Sequence, residues 1–267
     1  MFCAFILVSC NTNEVIDTSG VYLSKVITNG YLSTEYKYID SLKLVDTICQ
    51  YDFQGKLATY QTFKYANGKL FRSYNYTSAK ALVGVYKYKF DSISGNIKQS
   101  DYCLAADTTK INTTNIYKFN SQSMCDTVFY VDMNGISYKT INNYTNGNRV
   151  QATVLSHDSI KATINYAYDS KPTFAQKLST YPFLYCTNNI KSISSADILT
   201  NGGSITTSGV GSVKIFSGAG KYLFLGFDLT ESTYEYNANG LPTKQVAIYT
   251  HKTDNIITTE YQYISLK

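Results

Sequence analysis

From Thr233 to Lys244 the chain reads Thr-Tyr-Glu-Tyr-Asn-Ala-Asn-Gly-Leu-Pro-Thr-Lys, and the run Gln245-Val246-Ala247-Ile248-Tyr249 follows. Side chains alternate along a strand, so Tyr234 and Tyr236 fall on one face. Asn237-Ala238-Asn239-Gly240 supplies residues that tolerate positive φ, as a tight turn requires. Two aromatics one residue apart, a polar turn with Gly and a second alternating run make a β-hairpin.

Looser copies of the phrase recur upstream. They start at Tyr51-Asp52-Phe53, Phe63-Lys64-Tyr65, Tyr88-Lys89-Phe90, Phe129-Tyr130 and Tyr144-Thr145. Gly55 and Gly68 are 13 residues apart, and Gly135 and Gly147 are 12 apart. Gly68 to Gly95 is 27 and Gly95 to Gly135 is 40, close to two and three such steps. One strand plus one turn has that length, so the spacing predicts an antiparallel meander of repeated hairpins. The expected fold is all-β: a large curved sheet, an open barrel or a sandwich. Lys171-Pro172 breaks the rhythm, and a short helix or packed loop is expected around 173–200. The Gly/Ser/Thr-rich stretch 202–220 reads as a flexible excursion. The expected organisation is a leader over 1–9, a tether over 10–20 and one β-repeat domain over 21–267.

Composition agrees with paired strands. Hydrophobic residues make up 44% of the 267 positions, enough for a sizeable core. Tyr occurs 26 times and Trp never. Tyr suits a half-buried strand, with its ring inside and its hydroxyl at a polar boundary. The net charge of +5 is spread through Thr, Ser and Asn without a basic run, which points away from a nucleic-acid partner.

Phe2 to Ser9 is apolar, too short to span a bilayer, and has the length of a signal-peptide core. It lacks the basic residues that normally precede such a core. It ends in Leu7-Val8-Ser9-Cys10, which resembles the lipobox of bacterial lipoproteins. The resemblance implies cleavage before Cys10, diacylglyceryl transfer to its thiol and acylation of the new amino terminus. Several acyl chains anchor stably where a single chain does not. Cys49, Cys103, Cys125 and Cys186 would then remain in an oxidising compartment. They form either disulfides, whose pairing the sequence leaves open, or buried free thiols.

The aromatic-x-Tyr-Asp/Asn-x-x-Gly-x-Leu phrase resembles the Tyr-Asp repeat of RHS-type proteins. Asn188-Asn189-Ile190 followed by the Tyr234–Lys244 hairpin resembles the ending of lipoproteins from Bacteroidetes-type bacteria. That likeness implies an envelope location and no defined activity. Asp followed by Ser or Thr also resembles the O-glycosylation acceptor of that group. It would place glycans at Ser41, Thr47, Ser92, Thr108, Thr127 or Ser159, although Asp-Ser and Asp-Thr are ordinary turn residues as well.

Catalytic signals are weak. His157 and His251 are the two histidines, and neither has a second ligand at metal-binding spacing, so no metal is expected. No Gly-x-Ser-x-Gly elbow, P-loop or EF-hand loop is present, and no cofactor is expected. Glu235 and Glu260 are the best carboxylate pair for a glycosidase, but both sit opposite the Tyr face and read as solvated. Tyr234, Tyr236, Tyr261 and Tyr263 could stack on a ligand if they faced water; otherwise they are core. The leading expectation is therefore a non-enzymatic lipoprotein of the outer membrane, with the periplasmic face favoured over the cell surface. It would bind an envelope protein or glycan. The alternatives are a carbohydrate-active hydrolase and a periplasmic assembly or chaperone-like factor with an exposed apolar groove.

Overall fold

The computed structural model describes residues 20–133, 135, 137–156, 159–172, 187–196, 204–208, 212–216, 228–250 and 255–266. In chain order the strands are β1 (Val21–Thr28), β2 (Tyr31–Ile39), β3 (Leu44–Tyr51), β4 (Leu57–Ala66), β5 (Lys69–Thr77), β6 (Leu82–Phe90), β7 (Ile97–Leu104), β8 (Thr113–Phe119) and β9 (Cys125–Asp132). They continue with β10 (Ser137–Thr145), β11 (Asn148–Ser156), β12 (Ser159–Pro172), β13 (Asn188–Ala196), β14 (Ser204–Ser208), β15 (Ser212–Phe216), β16 (Asp228–Tyr236), β17 (Pro242–Thr250) and β18 (Asn255–Ser265).

The chain is an antiparallel meander, and it closes. β1 pairs with β2 on one side and with β18 on the other, from Val21 opposite Ser265 to Thr28 opposite Thr259. The described strands thus form a closed barrel in sequence order, with β14 and β15 set apart as a two-stranded sheet between β13 and β16. Among the described barrel strands, turns that join even to odd strands lie at the end where β1 begins, here the tether end. The others lie at the far end. Asn29-Gly30, Asn67-Gly68 and Asn146-Gly147 have positive φ at both positions. This is the geometry that lets a two-residue turn follow the strand twist.

Closure is helped by a repeated irregularity. In most hairpins the second strand carries one unpaired residue near its start. Examples are Asp46 between the pairs Tyr38–Val45 and Lys37–Thr47, and Phe71 between Tyr65–Leu70 and Lys64–Arg72. Lys98, Asp126 and Val150 occupy the same place in later hairpins. Each such bulge adds local twist and bends its strand, which curls a long sheet toward closure.

Leu23, Val45, Phe63, Leu70 and Tyr261 form the main buried cluster, with Tyr36, Tyr65 and Tyr88 packed on it. A second cluster joins Ala152, Ile164 and Tyr166. Tyr102 lies across the backbone of Gly84, where a Cβ would collide with the ring. Polar side chains share this interior: Gln61 Nε2 donates to Ser73 Oγ at 3.0 Å, and Ser100 and Tyr117 hydroxyls meet at 2.8 Å.

Two expectations are corrected. Within 173–200 the segment Asn188–Ala196 is a strand of the barrel rather than helix or loop, while 173–186 lies outside the described residues. Its Asn-Asn-Ile start is held by Asn148, whose Oδ1 accepts the Asn188 N–H at 3.0 Å, so pairing with the meander overrides the missing alternation. The Gly/Ser/Thr-rich excursion contains the paired strands β14 and β15, from Ser204 opposite Phe216 to Ser208 opposite Ser212. The short alternating runs Ser204–Ser208 and Ser212–Phe216 suffice for that ladder.

Candidate functional site

The site is best seen as a departure from a rule that runs round the tether end. Each even strand of the barrel ends in an inward aromatic, and each such residue faces a residue at the start of the next strand. Tyr38 faces Val45, Tyr144 faces Arg149, Tyr168 faces Ile190, Tyr236 faces Pro242, and Tyr263 faces Leu23 across the closure. The ladder between an odd strand and the following even strand stops short of this end. At five steps the exposed carbonyl is taken by the next tyrosine hydroxyl instead, whereas β6 and β8 end in Phe90 and Phe119, which have none. Tyr38 donates to the Leu23 carbonyl at 2.6 Å and Tyr65 to Val45 at 2.7 Å. Tyr144 donates to Cys125 at 2.8 Å, Tyr168 to Arg149 at 2.7 Å and Tyr263 to Pro242 at 2.7 Å. A buried carbonyl needs a donor, and the hydroxyl supplies one where the backbone cannot.

Between β13 and β16 the rule is displaced. Ile193 opposite Leu229 is the one described backbone pair there. The Ile190 carbonyl should receive Tyr236 but receives Tyr234 at 2.6 Å. Tyr236 is freed to donate to Asp169 Oδ2. Asp169 is held in turn: its Oδ1 accepts the Lys171 N–H at 2.9 Å and the Asn189 N–H at 3.2 Å. The two strands part below Ile193, and a cleft of about 630 Å³ opens between them.

The cleft is lined by Tyr168, Asp169, Lys191, Glu231, Tyr234 and Tyr236, among others. The Tyr234 and Tyr236 rings lie 6.1 Å apart, tilted by 30°. Burial pushes both hydroxyls up from the usual phenol range, and for Tyr236 the Asp169 carboxylate adds to it. Both therefore stay protonated donors at neutral pH. Lys191 and Glu231 are exposed at the mouth. The chemistry on offer is two aromatic rings, two carboxylates and an ammonium group round a wide-open depression.

Of the four tyrosines singled out in the sequence, Tyr234 and Tyr236 reach this cleft. Tyr261 belongs to the buried cluster and donates to Gln245 Oε1 at 2.8 Å, and Tyr263 packs on that cluster. All four are on the inner face. Glu235 and Glu260 are on the outer wall on either side of Lys244, with Lys244 Nζ 3.2 Å from Glu235 Oε1. Cys49, Cys103 and Cys125 are buried free thiols, so no disulfide involves them. Cys10, Cys186, His157 and His251 lie outside the described residues. Ser41, Ser92 and Ser159 are exposed, and Thr47, Thr108 and Thr127 are half-buried. Asp91 and Asp107 act as turn acceptors. Asp91 Oδ1 takes the Ser94 N–H at 2.7 Å, and Asp107 Oδ1 takes the Thr109 hydroxyl at 2.6 Å. Asp169, Lys191 and Glu231 were not singled out by the sequence. The available signal was Tyr166-Ala167-Tyr168-Asp169, a copy of the aromatic-x-Tyr-Asp phrase.

No family model matches the chain, and no curated protein matches it. A crystal structure of a porin-like protein from Bacteroides uniformis is similar with a TM-score of 0.45 and 12% identity, over 91% of this chain and 96% of that one. A crystal structure of TcdB2-TccC3-TEV gives a TM-score of 0.32 and 14% identity, over 83% of this chain and 12% of that one. TcdB2-TccC3 without its hypervariable C-terminal region gives 0.21 and 10%, over 81% and 14%. At these scores the likenesses carry no functional argument.

Proposed function

We propose that the chain is a non-enzymatic binding module of the bacterial envelope, anchored to the outer membrane through Cys10, and that the cleft between β13 and β16 takes a saccharide. The observation that carries the binding reading is the displaced tyrosine pattern, which leaves a cleft in an otherwise laddered wall. Aromatic rings beside carboxylates and an ammonium group suit a sugar, which offers apolar ring faces and a rim of hydroxyls. Anchoring is supported by Leu7-Val8-Ser9-Cys10 and the polar residues that follow it.

The test is calorimetric titration of the purified chain against envelope oligosaccharides, with Lys191→Ala and Glu231→Ala alongside. Both side chains are exposed, so folding is expected to survive their loss. Binding that weakens about tenfold in each variant, the loss of one charged hydrogen bond, fits the proposal. Binding that ignores both variants would move the site elsewhere. Acyl labelling in cells should be lost in Cys10→Ala. Label retained in that variant would remove the anchor.

A hydrolase is the second reading, because Asp169 and Glu231 share the cleft. Against it, both oxygens of Asp169 already accept hydrogen bonds from Lys171, Asn189 and Tyr236. It serves as a staple of the wall. Saccharide turnover abolished by Glu231→Gln would decide for the hydrolase.

A further inference from the structure

We infer that the outer wall over β4 to β10 is a docking surface for an extended acidic polysaccharide. Residues paired directly across strands carry the argument. On β16, β17 and β18, Glu235, Lys244 and Glu260 stand opposite one another, so charge alternates across the wall. On β4, β5 and β6 the same kind of row reads Lys64, Arg72 and Lys87. Like charges directly opposite destabilise a sheet, so this row carries a cost that the other does not. Lys87 offsets part of it by donating to the Thr108 carbonyl at 2.6 Å. Lys64 and Arg72 are exposed, and among the described residues no carboxylate forms an ion pair with either.

The cations continue round the wall. A second row runs Lys89, Gln99, Ile116, Phe129 and Lys139, each opposite the next. These strands and the tether-end turns between them hold twice as many Lys and Arg as Asp. Two of the acids are already engaged. Asp101 is buried and paired to Lys89 at 3.0 Å, and Asp91 Oδ1 takes the Ser94 N–H at 2.7 Å. The other two, Asp126 and Asp132, are half-buried on β9. No strand gives more than two cations, so no basic run marks the patch in the sequence.

Geometry and chemistry select the occupant. From β4 to β10 is six strand spacings, about 29 Å of curved wall. A polymer lying across the strands meets cations along that whole length. A lipid surface is flat and would touch the curve along a narrow strip parallel to the strands, whereas these cations spread across them. Aromatic rings stand beside the charges. The Arg72 guanidinium is 5.4 Å from the centroid of Phe71, which is 39% exposed. Lys118 and Lys139 flank the Phe129 ring, their Nζ atoms 5.0 and 5.9 Å from its centroid. A sugar acid offers an apolar face to such a ring and a carboxylate to the neighbouring cation. The wall lies apart from the cleft between β13 and β16, so the inference does not rest on the cleft's ligand.

The test titrates polygalacturonate oligomers calorimetrically into the full chain carrying Cys10→Ala. Inorganic polyphosphate, which has charge but no sugar ring, and phosphatidylglycerol vesicles are titrated in parallel. The inference predicts that polygalacturonate binds and that added salt weakens it. Lys64→Gln/Arg72→Gln should weaken it about tenfold, the loss of two exposed charge contacts. That variant should unfold in urea at the parent midpoint or above it, because a like-charge row is relieved. Phe71→Ala should weaken polygalacturonate severalfold and leave polyphosphate unchanged. Lys244→Gln on the alternating row and Lys191→Ala in the cleft should bind as the parent does. No binding, binding that Lys64→Gln/Arg72→Gln retains, or a lower urea midpoint in that variant would overturn the inference. So would three other results. A loss in Lys191→Ala would move the polymer to the cleft. Polygalacturonate binding that ignores Phe71→Ala would reduce the wall to a charge-only surface. Vesicles bound more tightly than polygalacturonate, through the same two cations, would make a lipid surface the occupant.

Discussion

The tyrosine hydroxyls do the work at the residue scale that backbone amides do elsewhere. Removing one leaves a buried carbonyl without its donor, which costs about 1–2 kcal/mol. Tyr38→Phe and Tyr263→Phe should each lower stability by that amount in urea unfolding, by removing the donor to the buried carbonyls of Leu23 and Pro242. An unchanged midpoint in both would show that the hydroxyls are incidental. The same groups set the alkaline limit. Burial pushes Tyr86 up to about 12, with the nearby Tyr88 and Tyr102 hydroxyls adding to it. Burial also pushes the Cys125 thiol up to about 12, with Asp126 adding and Arg149 opposing. Tyr38 and Tyr263 are raised as well, again chiefly by burial. A folded value above the unfolded one means that the neutral form is favoured in the fold. The tyrosine contribution is therefore full below about pH 10, the unfolded phenol value, and lost as pH rises towards the folded values. Stability should be level from pH 7 to 9 and fall steeply above 10, with tyrosinate absorbance appearing together with unfolding. Tyrosinate appearing at pH 10 while the fold persists would contradict the buried placement.

The hairpin was the element most legible in the sequence. Tyr234-x-Tyr236 followed by Asn-Ala-Asn-Gly specifies a strand, a turn and an inward face, and the structure keeps all three. The bulges were not legible. An unpaired residue such as Asp46 or Lys98 sits in the strand after the aromatic pair, and nothing in two-residue alternation marks it. The tyrosines that cap carbonyls lie near the ends of even strands, so that pattern repeats every two strands, whereas odd strands such as β3 and β5 also carry a tyrosine at or next to their ends and the glycine spacing follows single strands. The candidate site was half legible. Tyr234 and Tyr236 carry the phrase, but Asp169 and Lys191 arrive from β12 and β13, and sequence spacing does not report which strands part. Turn chemistry gives a test at this scale. Gly68 has φ +74° and open space around a hypothetical Cβ, so Gly68→Ala isolates the backbone cost. It should destabilise by about 1–2 kcal/mol without changing the fold. No loss would mean that the turn has another geometry.

Closure belongs to the whole molecule, and no local pattern encodes it. β1 and β18 stand at opposite ends of the chain, yet Leu23 faces Tyr263 and Tyr38 donates to Leu23. The hydroxyl pattern therefore spans the closure, while it lapses at Phe90 and Phe119 and slips between β13 and β16. Closing the first strand onto the last removes the edges that a long meander would otherwise present for aggregation. It also makes the β13–β16 seam the place where the wall opens most easily. Hydrogen exchange read by mass spectrometry tests this most directly, because it compares all strands in one experiment. The account predicts that amides of Val21–Thr28 and Asn255–Ser265 exchange as slowly as those of Leu57–Ala66. Peptides over residues 188–192 and 230–236 should exchange first among the barrel strands. Rapid exchange in β1 and β18, at the rate of an open sheet edge, would contradict the closed barrel and with it the identification of the seam.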